Sequence, residues 1–332
     1  METQKGTKKG ERIVWWNGKL IPEREAKLSI YDSALMFGDM VFEMTRSFDK
    51  KQFKLREHLE RLYSSMKFLE ISIDMDIDEM TKHCHEVIEA NKSVFHEDDE
   101  HRLMIDITRG LLSIYEDIIG GHKGTNIIIA DFPLRWTVQG MGKLYNEGVD
   151  AVISSQRTIP AQLLEPKVKN RSRLHYLMAN IQVSKYKGKN AWALLLDPDG
   201  FITEGTGDNF FIVKEGKLFT PEPRNILRGI SRGYIIKELC PQLDLECCEK
   251  NLELYDVITA DEAFFTGTPF CMMPVTKING LQIGNGKMGK TTIQLLAKWS
   301  NNVGIDIIQQ IQKFNAESEK EKLIGLSPYS FK

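Results

Sequence analysis

Residues 203–213, T-E-G-T-G-D-N-F-F-I-V, constrain the fold of this chain more than any other stretch. A short polar run with two glycines precedes four consecutive apolar residues, which is typical of a tight bend that leads into a buried β-strand. Glu204 stands at this bend, between two apolar runs. Because a carboxylate is costly to bury without a partner, the segment predicts either a surface turn or a buried Glu204 that faces a specific partner.

The bulk properties of the chain exclude several classes of protein. Its 332 residues suffice for two domains, and its 42% hydrophobic and 27% charged residues are ordinary for a globular protein. A formal net charge of -2 gives no electrostatic reason to expect nucleic acid or an anionic membrane as a partner. Five cysteines without a C-x-x-C pair predict free thiols and a cytoplasmic location, and no apolar run is long enough to span a membrane.

The first part of the chain predicts a small α+β domain over residues 11–133, after a polar tail at 1–10. An Asn17-Gly18 hairpin turn joins two short strands, and apolar residues at three- and four-residue spacing predict two helices. Strands are expected at 13–16, at 19–21, after a loop within 34–48, at 102–108 and at 126–132, and helices at 56–69 and 76–91.

The second part predicts a larger domain over residues 143–314, with a linker at 134–142 and a polar tail at 315–332. Its strands are mostly joined as hairpins, which favours a mainly antiparallel or mixed sheet over a doubly wound Rossmann sheet. Strands are expected at 149–154, 191–196, 209–213, 217–220 and 262–266, and helices at 171–186, 229–239 and 290–301.

Three elements could bind an anion, although each also has an ordinary structural explanation. Backbone N–H groups in the run from Leu227 to Gly233 could bind phosphate at a helix N-terminus, or Ser231 could be a simple helix cap. Gly267 and Thr268 could add donors after a strand, or form a plain loop. Arg61 could be a guanidinium clamp on phosphate, or belong to a solvated helix face.

Two lysines, Lys167 and Lys169, are candidates for covalent chemistry. Lysines in such a polar segment are usually solvated, but a lysine in a closed site can form a Schiff base with a carbonyl group. The run His83-Cys84-His85 does not predict a metal site, because neighbours two apart on a helix do not face each other. We therefore expect no metal.

In their order, these motifs resemble the class IV, or fold type IV, pyridoxal-phosphate-dependent aminotransferases, and branched-chain amino acid aminotransferases in particular. The resemblance extends from about residue 16 to residue 301. It rests on A-L-x-F-G-D-x-V-F-E at 34–43, R-E-H-L-E-R-L at 56–62, E-G-x-G-x-N-F-F from 204, L-x-G-I-S-R from 227 and G-T-P from 267. It implies a two-domain α+β fold, pyridoxal 5′-phosphate as cofactor and a homodimer.

The resemblance also implies roles for individual residues. Lys169 would form the Schiff base with the cofactor and shuttle a proton, and Glu204 would pair with the pyridinium nitrogen. Further contacts to the cofactor would come from Arg61, Leu227, Ile230, Ser231 and Thr268, and the substrate pocket would include Phe37, Phe42, Arg46, Gly267 and Thr268. Arg46 could equally form a structural ion pair.

Two assignments stay open at this point. Counting back from Glu204 by the commoner family spacings reaches Asn170, whereas anchoring on Gly188 reaches Lys169; Lys167 or a lost lysine is the alternative. The tyrosine that usually contacts the phenolic oxygen of the cofactor has no certain counterpart, and its candidates are Arg173, His175 and Tyr176.

The expected activity is amino-group exchange between a branched-chain or other apolar amino acid and a 2-oxo acid such as 2-oxoglutarate. A lyase of the aminodeoxychorismate type, a D-amino acid aminotransferase and a non-catalytic relative are the alternatives.

Overall fold

The structure is a computed structural model, and it describes residues 10–120 and 122–320. The chain forms two compact units. Unit 1 comprises Met1–Leu134 and Val168–Ser172, and unit 2 comprises Arg135–Lys167 and Arg173–Lys332. Residues 135–142 of the expected linker therefore belong to unit 2, whereas residues 168–172 return to unit 1.

Unit 1 contains seven short strands and four α-helices within the described residues. The strands are β1 (Ile13–Trp16), β2 (Lys19–Pro22), β3 (Met40–Met44), β4 (Ser47–Phe48), β5 (Lys51–Gln52), β6 (His101–Thr108) and β7 (Asn126–Pro133). The helices are α1 (Ser33–Phe37), α2 (Leu55–Phe68), α3 (Ile77–Asn91) and α4 (Ser113–Ile119), with 3-10 turns at Glu23–Glu25 and Lys92–Val94.

Five of these strands form an antiparallel sheet in the order β2-β1-β7-β6-β3, while β4 and β5 form a separate hairpin. The apolar stripes of α2 and α3 pack on this sheet, with Leu59 and Leu62 of α2 and Met80 of α3 fully buried in one core with Ile105 and Ile107 of β6. The periodicity that predicted the two helices thus marks their buried faces.

Two local features of unit 1 differ from expectation. A short helix, α1, stands where a loop was predicted; Asp32 caps its N-terminus by accepting a hydrogen bond from the Ala34 N–H at 2.8 Å, and Gly38 ends it at φ 69°. The segment around Lys169 is extended, because its carbonyl oxygen accepts a hydrogen bond from the Phe42 N–H at 3.0 Å. The predicted helix therefore starts later.

Unit 2 contains the remaining described elements. Its strands are β8 (Val149–Arg157), β9 (Ala191–Leu196), β10 (Ile202–Gly205), β11 (Asn209–Lys214), β12 (Lys217–Thr220), β13 (Cys247–Glu249), β14 (Glu262–Gly267), β15 (Cys271–Ile278) and β16 (Leu281–Gln282). Its α-helices are α5 (Arg135–Val138), α6 (Leu144–Glu147), α7 (Leu174–Val183), α8 (Ile230–Tyr234), α9 (Cys240–Gln242), α10 (Leu254–Ile258), α11 (Lys290–Val303) and α12 (Ile307–Lys320), and a π-helical turn, Ile235–Leu239, joins α8 to α9.

The sheet of unit 2 closes on itself. Its strand order is β10-β9-β8-β15-β14-β11-β12-β13, and an additional pairing joins β10 to β11. The residues opposite each other in that pairing are Glu204 and Asn209. Because β8 runs parallel to both β9 and β15 while the other pairs of the closed ring are antiparallel, the prediction of a mixed sheet is confirmed.

The helices of unit 2 also differ from expectation in two places. The helix predicted at 171–186 spans only Leu174–Val183. The expected C-terminal tail at 315–332 is helical up to residue 320, as part of α12, in which Ile307, Ile311 and Phe314 are buried. Residues 321–332, and residues 1–9 of the predicted tail at 1–10, lie outside the described residues. Across the residues that the structure describes, no helix is both long and apolar enough to cross a membrane.

Candidate active site

Glu204 of β10 is buried, with 4% of its surface exposed, and three neutral donors hold its carboxylate. The Tyr176 hydroxyl donates to Oε1 at 2.7 Å. The Asn209 side-chain amide and the Leu227 backbone N–H each donate to Oε2 at 3.0 Å. A carboxylate only accepts hydrogen bonds, so one ionised group satisfies all three donors. The surface-turn alternative for Glu204 is wrong.

Asn209 joins the bend after β10 to the segment before α8. Its amide nitrogen donates to the Leu227 carbonyl oxygen at 2.9 Å as well as to Glu204. Gly229 lies against the other side of the same amide, and a Cβ added there would stand 2.1 Å from Asn209 Oδ1. Only glycine fits this approach, which explains why the two motifs need glycine and asparagine at these places.

Asp208 is a second buried acid beside Glu204. Burial, followed by the negative charge of Glu204, raises the pKa of Asp208 well above its usual value, although Arg173 acts in the opposite direction. Its Oδ1 has no hydrogen-bond partner among the described residues, and a Cβ at Gly205 would stand 2.0 Å from that oxygen. Asp208 therefore holds its proton more strongly than an ordinary aspartic acid, and the negative charge of Glu204 contributes to this.

The predicted phosphate-binding residues of unit 2 lie at a helix start and at a strand end. Gly229 is the N-cap of α8 and provides no side-chain cap, so the alternative of a Ser231 cap is wrong. The N–H groups of Ile230 and Ser231 lie in the first turn, where backbone donors lack intrahelical acceptors. Gly267 ends β14, and a Cβ there would stand 3.4 Å from the Gly207 carbonyl oxygen, so the strand end approaches the bend after β10.

Lys169 lies in the extended segment that pairs with β3 in unit 1. Its backbone N–H donates to the Ser65 hydroxyl at 3.2 Å, and its Nζ lies 4.6 Å from the centre of the Phe42 ring. Lys167 differs, because its Nζ forms an ion pair with Glu165 at 2.5 Å and donates to the Arg224 carbonyl oxygen at 3.1 Å. Of the two candidate lysines, Lys167 is thus already engaged by a carboxylate.

Arg61 of α2 takes part in a buried charge cluster in unit 1. Its Nε and Nη2 donate to the two carboxylate oxygens of Glu43 at 2.6 and 2.8 Å, and the Nδ1 atom of His58 lies 2.7 Å from Glu43 Oε2. Burial lowers the pKa of His58, which outweighs the opposing effect of Glu43, so His58 is neutral and donates from Nδ1. The arginine is therefore held in one orientation rather than solvated.

The three predicted pocket residues of unit 1 lie in different surroundings. Phe37 ends α1 and is 66% exposed, whereas Phe42 is buried with its ring against the guanidinium of Arg171 at 3.6 Å. Arg46 is 1% exposed, stacks on Phe48 at 3.8 Å and donates from Nε to the Ser47 carbonyl oxygen at 3.2 Å. Arg46 is thus held by a ring and a backbone carbonyl group, and its contact to a substrate carboxylate stays a prediction.

The structure places the three uncertain residues after Lys169 around the start of α7. Arg173 donates from Nη2 to the Thr206 carbonyl oxygen, and its guanidinium lies 5.1 Å from the Tyr176 ring. His175 contacts the same ring at 4.0 Å. The role of Tyr176 as a donor to Glu204 was not predicted, and no sequence signal indicates it, because the contact spans 28 residues and depends on how α7 packs on β8 and β9.

Comparisons with known proteins place this geometry among aminotransferases. A family model described as amino-transferase class IV matches residues 40–278. A putative branched-chain-amino-acid aminotransferase of Methanocaldococcus jannaschii is 38% identical over 289 residues, which cover 87% of this chain and 95% of the relative. The branched-chain-amino-acid aminotransferase of Escherichia coli K12 is 32% identical over 296 residues, covering 86% and 91%.

Solved structures give the same result for the fold. The chain matches a crystal structure of the Escherichia coli branched-chain amino acid aminotransferase with a TM-score of 0.77 and 29% identity, covering 88% of this chain and 94% of that one. It matches the T.th. branched-chain amino acid aminotransferase, solved with pyridoxamine 5′-phosphate, with a TM-score of 0.78 and 26% identity over the same shares.

Proposed function

This chain belongs to the class IV aminotransferases, and we propose that it exchanges an amino group between a branched-chain or other apolar amino acid and a 2-oxo acid such as 2-oxoglutarate. The observation that carries the proposal is the Glu204 carboxylate, buried and held by three neutral donors. Such an anion suits a protonated ring nitrogen, whose positive charge would offset the cost of burial.

The residues present fit pyridoxal 5′-phosphate, the cofactor that the family implies. The first-turn N–H groups of Ile230 and Ser231, after a glycine that offers no competing cap, suit a phosphate group. When bound, the cofactor supplies the electron sink that stabilises negative charge on the substrate Cα. Glu204 would hold the proton on the ring nitrogen, and Arg61, Leu227 and Thr268 would complete the binding site.

Lys169 would hold the cofactor covalently through Nζ and move the proton of the substrate Cα. It is favoured over Lys167 because anchoring the family resemblance on Gly188 reaches Lys169. Phe37, Phe42 and Gly267 would border the substrate. An apolar side chain is favoured by the phenylalanines and by the acceptance of branched-chain substrates implied in the names of the relatives.

A panel of L- and D-amino acids, with 2-oxoglutarate and pyruvate as acceptors, tests the proposed activity. We expect L-leucine, L-isoleucine and L-valine to be converted with 2-oxoglutarate at rates at least about tenfold above those of charged L-amino acids and of D-amino acids, a difference of roughly 1.4 kcal/mol in transition-state stabilisation. Turnover of D-amino acids alone would identify a D-amino acid aminotransferase. Release of pyruvate from aminodeoxychorismate without an added acceptor would identify a lyase.

We further propose that the protein is a cytoplasmic homodimer. The homodimer is supported by family resemblance, and the cytoplasmic location by five free cysteines, which suit a reducing compartment. Light scattering of the purified protein tests the oligomeric state: a mass of about twice the 38.1 kDa of one chain is expected, and the mass of a single chain would contradict it.

A further inference from the structure

We propose that Tyr176 is a positioning residue for Glu204, which fixes the carboxylate in the orientation that meets the pyridine nitrogen of the cofactor. This inference rests on the proposed function. It concerns one of the three candidates for the contact to the phenolic oxygen, and it gives Tyr176 a different role, through Glu204 rather than on the substrate.

The geometry shows that Tyr176 holds the carboxylate through a different oxygen from the other two donors. Asn209 and the Leu227 N–H both donate to Oε2, whereas the Tyr176 hydroxyl donates to Oε1 at 2.7 Å. The three donors come from three different elements, namely α7, β11 and the segment before α8. Donors on both oxygens restrict rotation about the bond to the carboxylate carbon more than donors on one oxygen can.

Tyr176 is itself held in place. Its ring packs against a buried apolar cluster formed by α7, β8 and β9: Val152, Ala179, Val183, Ala193 and Leu195. On its other sides the ring contacts His175, at 4.0 Å between centres, and the guanidinium of Arg173, at 5.1 Å. A hydroxyl on a ring packed in this way is a preorganised donor rather than a mobile one.

The surroundings of the Tyr176 hydroxyl keep it protonated, so that it remains a hydrogen-bond donor to Glu204. Burial, followed by the negative charge of Glu204, raises the pKa of Tyr176 well above its usual value, so the phenol keeps its proton. The pKa of Asp208, the other acid beside Glu204, is raised too, by burial and then by the charge of Glu204, while the positive charge of Arg173 acts in the opposite direction. Loss of the Tyr176 hydroxyl would therefore change the orientation of the Glu204 carboxylate without removing its charge.

The substitution Tyr176→Phe tests the inference, because it keeps the ring and its packing and removes the donor. Tyr186→Phe is the matched control: Tyr186 packs against the same apolar cluster, and its hydroxyl interacts with Asp150 rather than with Glu204. Each variant is reconstituted with pyridoxal 5′-phosphate labelled with nitrogen-15, and the chemical shift of the pyridine nitrogen is measured in the holoenzyme together with kcat and KM.

For Tyr176→Phe we expect the nitrogen signal to move toward the value of the unprotonated ring. We also expect kcat to fall about tenfold, with KM for the amino acid within about twofold of wild type, as for a group that acts only in the transition state. Tyr186→Phe should match the wild type in all three. A Tyr176→Phe holoenzyme with wild-type nitrogen shift and kcat would overturn the inference, as would equal changes in both variants.

A double-mutant cycle tests the role of Tyr176 even if Tyr176→Phe also lowers the stability of the protein. In a Glu204→Gln background the ring nitrogen has lost its carboxylate, so adding Tyr176→Phe should leave the nitrogen shift unchanged. If Tyr176→Phe changed the nitrogen chemical shift in the Glu204→Gln background by as much as it does when Glu204 is present, Tyr176 would not act through Glu204. A wild-type protein without a bound-cofactor signal would overturn the proposed function itself, whereas a normal wild-type signal with an unaltered variant overturns only the role of Tyr176.

Discussion

At the scale of single residues, three buried acids of this chain, Glu43, Asp208 and Glu204, have different partners. Burial by itself would raise the pKa of Glu43, but Arg61 and His58 outweigh it and hold that pKa well below its usual range. Asp208 lacks such a direct partner on Oδ1 within the described residues, and its pKa is raised well above its usual value. Glu204, held by three neutral donors, is the acid suited to a cationic ring.

Replacing Glu43 by Gln should destabilise the protein, because the charge of Arg61 would lose its buried partner. Breaking one side of a buried ion pair costs about 3 kcal/mol, so the free energy of unfolding at pH 7 should fall by about that amount. Because the folded pKa of Glu43 is lowered, its stabilisation is present above its ordinary value near 4.5 and is lost as the pH falls below it. Urea unfolding at pH 7 and about pH 4 measures both effects.

The control for this prediction is Glu86→Gln, which alters an ion pair with Lys82, at 3.9 Å, on the surface of α3. Exposed pairs contribute little, so its effect should stay below about 1 kcal/mol. If Glu43→Gln and Glu86→Gln lowered the free energy of unfolding equally, this would contradict the stabilisation assigned to the cluster of Glu43, Arg61 and His58.

The stability of the Asp208→Asn variant, relative to that of the wild type, should increase as the pH rises. In the unfolded chain an aspartic acid loses its proton near about pH 3.9, whereas folded Asp208 retains it, so the wild type loses stability between that pH and the raised folded pKa. Asparagine has no proton to lose. Between about pH 4.5 and 7.5, the difference in melting temperature between Asp208→Asn and the wild type should grow, whereas the difference for the exposed Asp199→Asn should stay constant. A constant difference for both variants would show that Asp208 ionises normally.

At the scale of elements, the decisive arrangement is the contact between the bend after β10 and the start of α8. Asn209 and the Leu227 N–H join the two through one carboxylate, and Gly229 leaves room for the amide. Leu227 lies 18 residues after Asn209 and 23 residues after Glu204 along the chain, and these hydrogen bonds join the two segments.

Two glycine substitutions in this region should differ in their effect on cofactor affinity. Gly229→Ala would place a Cβ 2.1 Å from Asn209 Oδ1 and displace the amide from Glu204, so we expect cofactor affinity to fall about tenfold or more. Gly233→Ala, in α8 with nothing within 4 Å of the added Cβ, should retain the cofactor and gain roughly 0.5–1 kcal/mol in stability. Fluorescence titration with pyridoxal 5′-phosphate measures the affinities, and equal affinities would contradict the argument.

The sequence predicts elements well where a pattern repeats over several turns or strands, as in α2, α3 and the strands β8, β9 and β11. It fails for α1, which is too short for periodicity, although Asp32 and Gly38 are recognisable boundary signals. It also fails at the start of α7, where pairing of the Lys169 segment with β3 overrides helix formation. In α12, the helical spacing of apolar residues from Ile307 onward would have indicated a helix.

At the scale of the whole molecule, the order of motifs indicates the family, but sequence order does not show which compact unit holds each residue. Arg61 and Lys169 belong to unit 1, although the segment that contains Lys169 follows residues 135–167 of unit 2, and Glu204 and Ser231 belong to unit 2. The contact between Tyr176 and Glu204 could not be predicted, because it depends on the packing of α7 on β8 and β9 and on the pairing of β9 with β10, which no single segment encodes.

The most direct test of the proposed activity is the site of covalent attachment. Purified protein is incubated with pyridoxal 5′-phosphate, reduced with borohydride and digested, and the modified peptide is identified by mass spectrometry, with Lys169→Ala and Lys167→Ala in parallel. We predict that the cofactor is found on Lys169, that Lys169→Ala loses both the yellow colour and the activity, and that Lys167→Ala keeps both. A modified Lys167, or an active Lys169→Ala variant, would contradict the assignment.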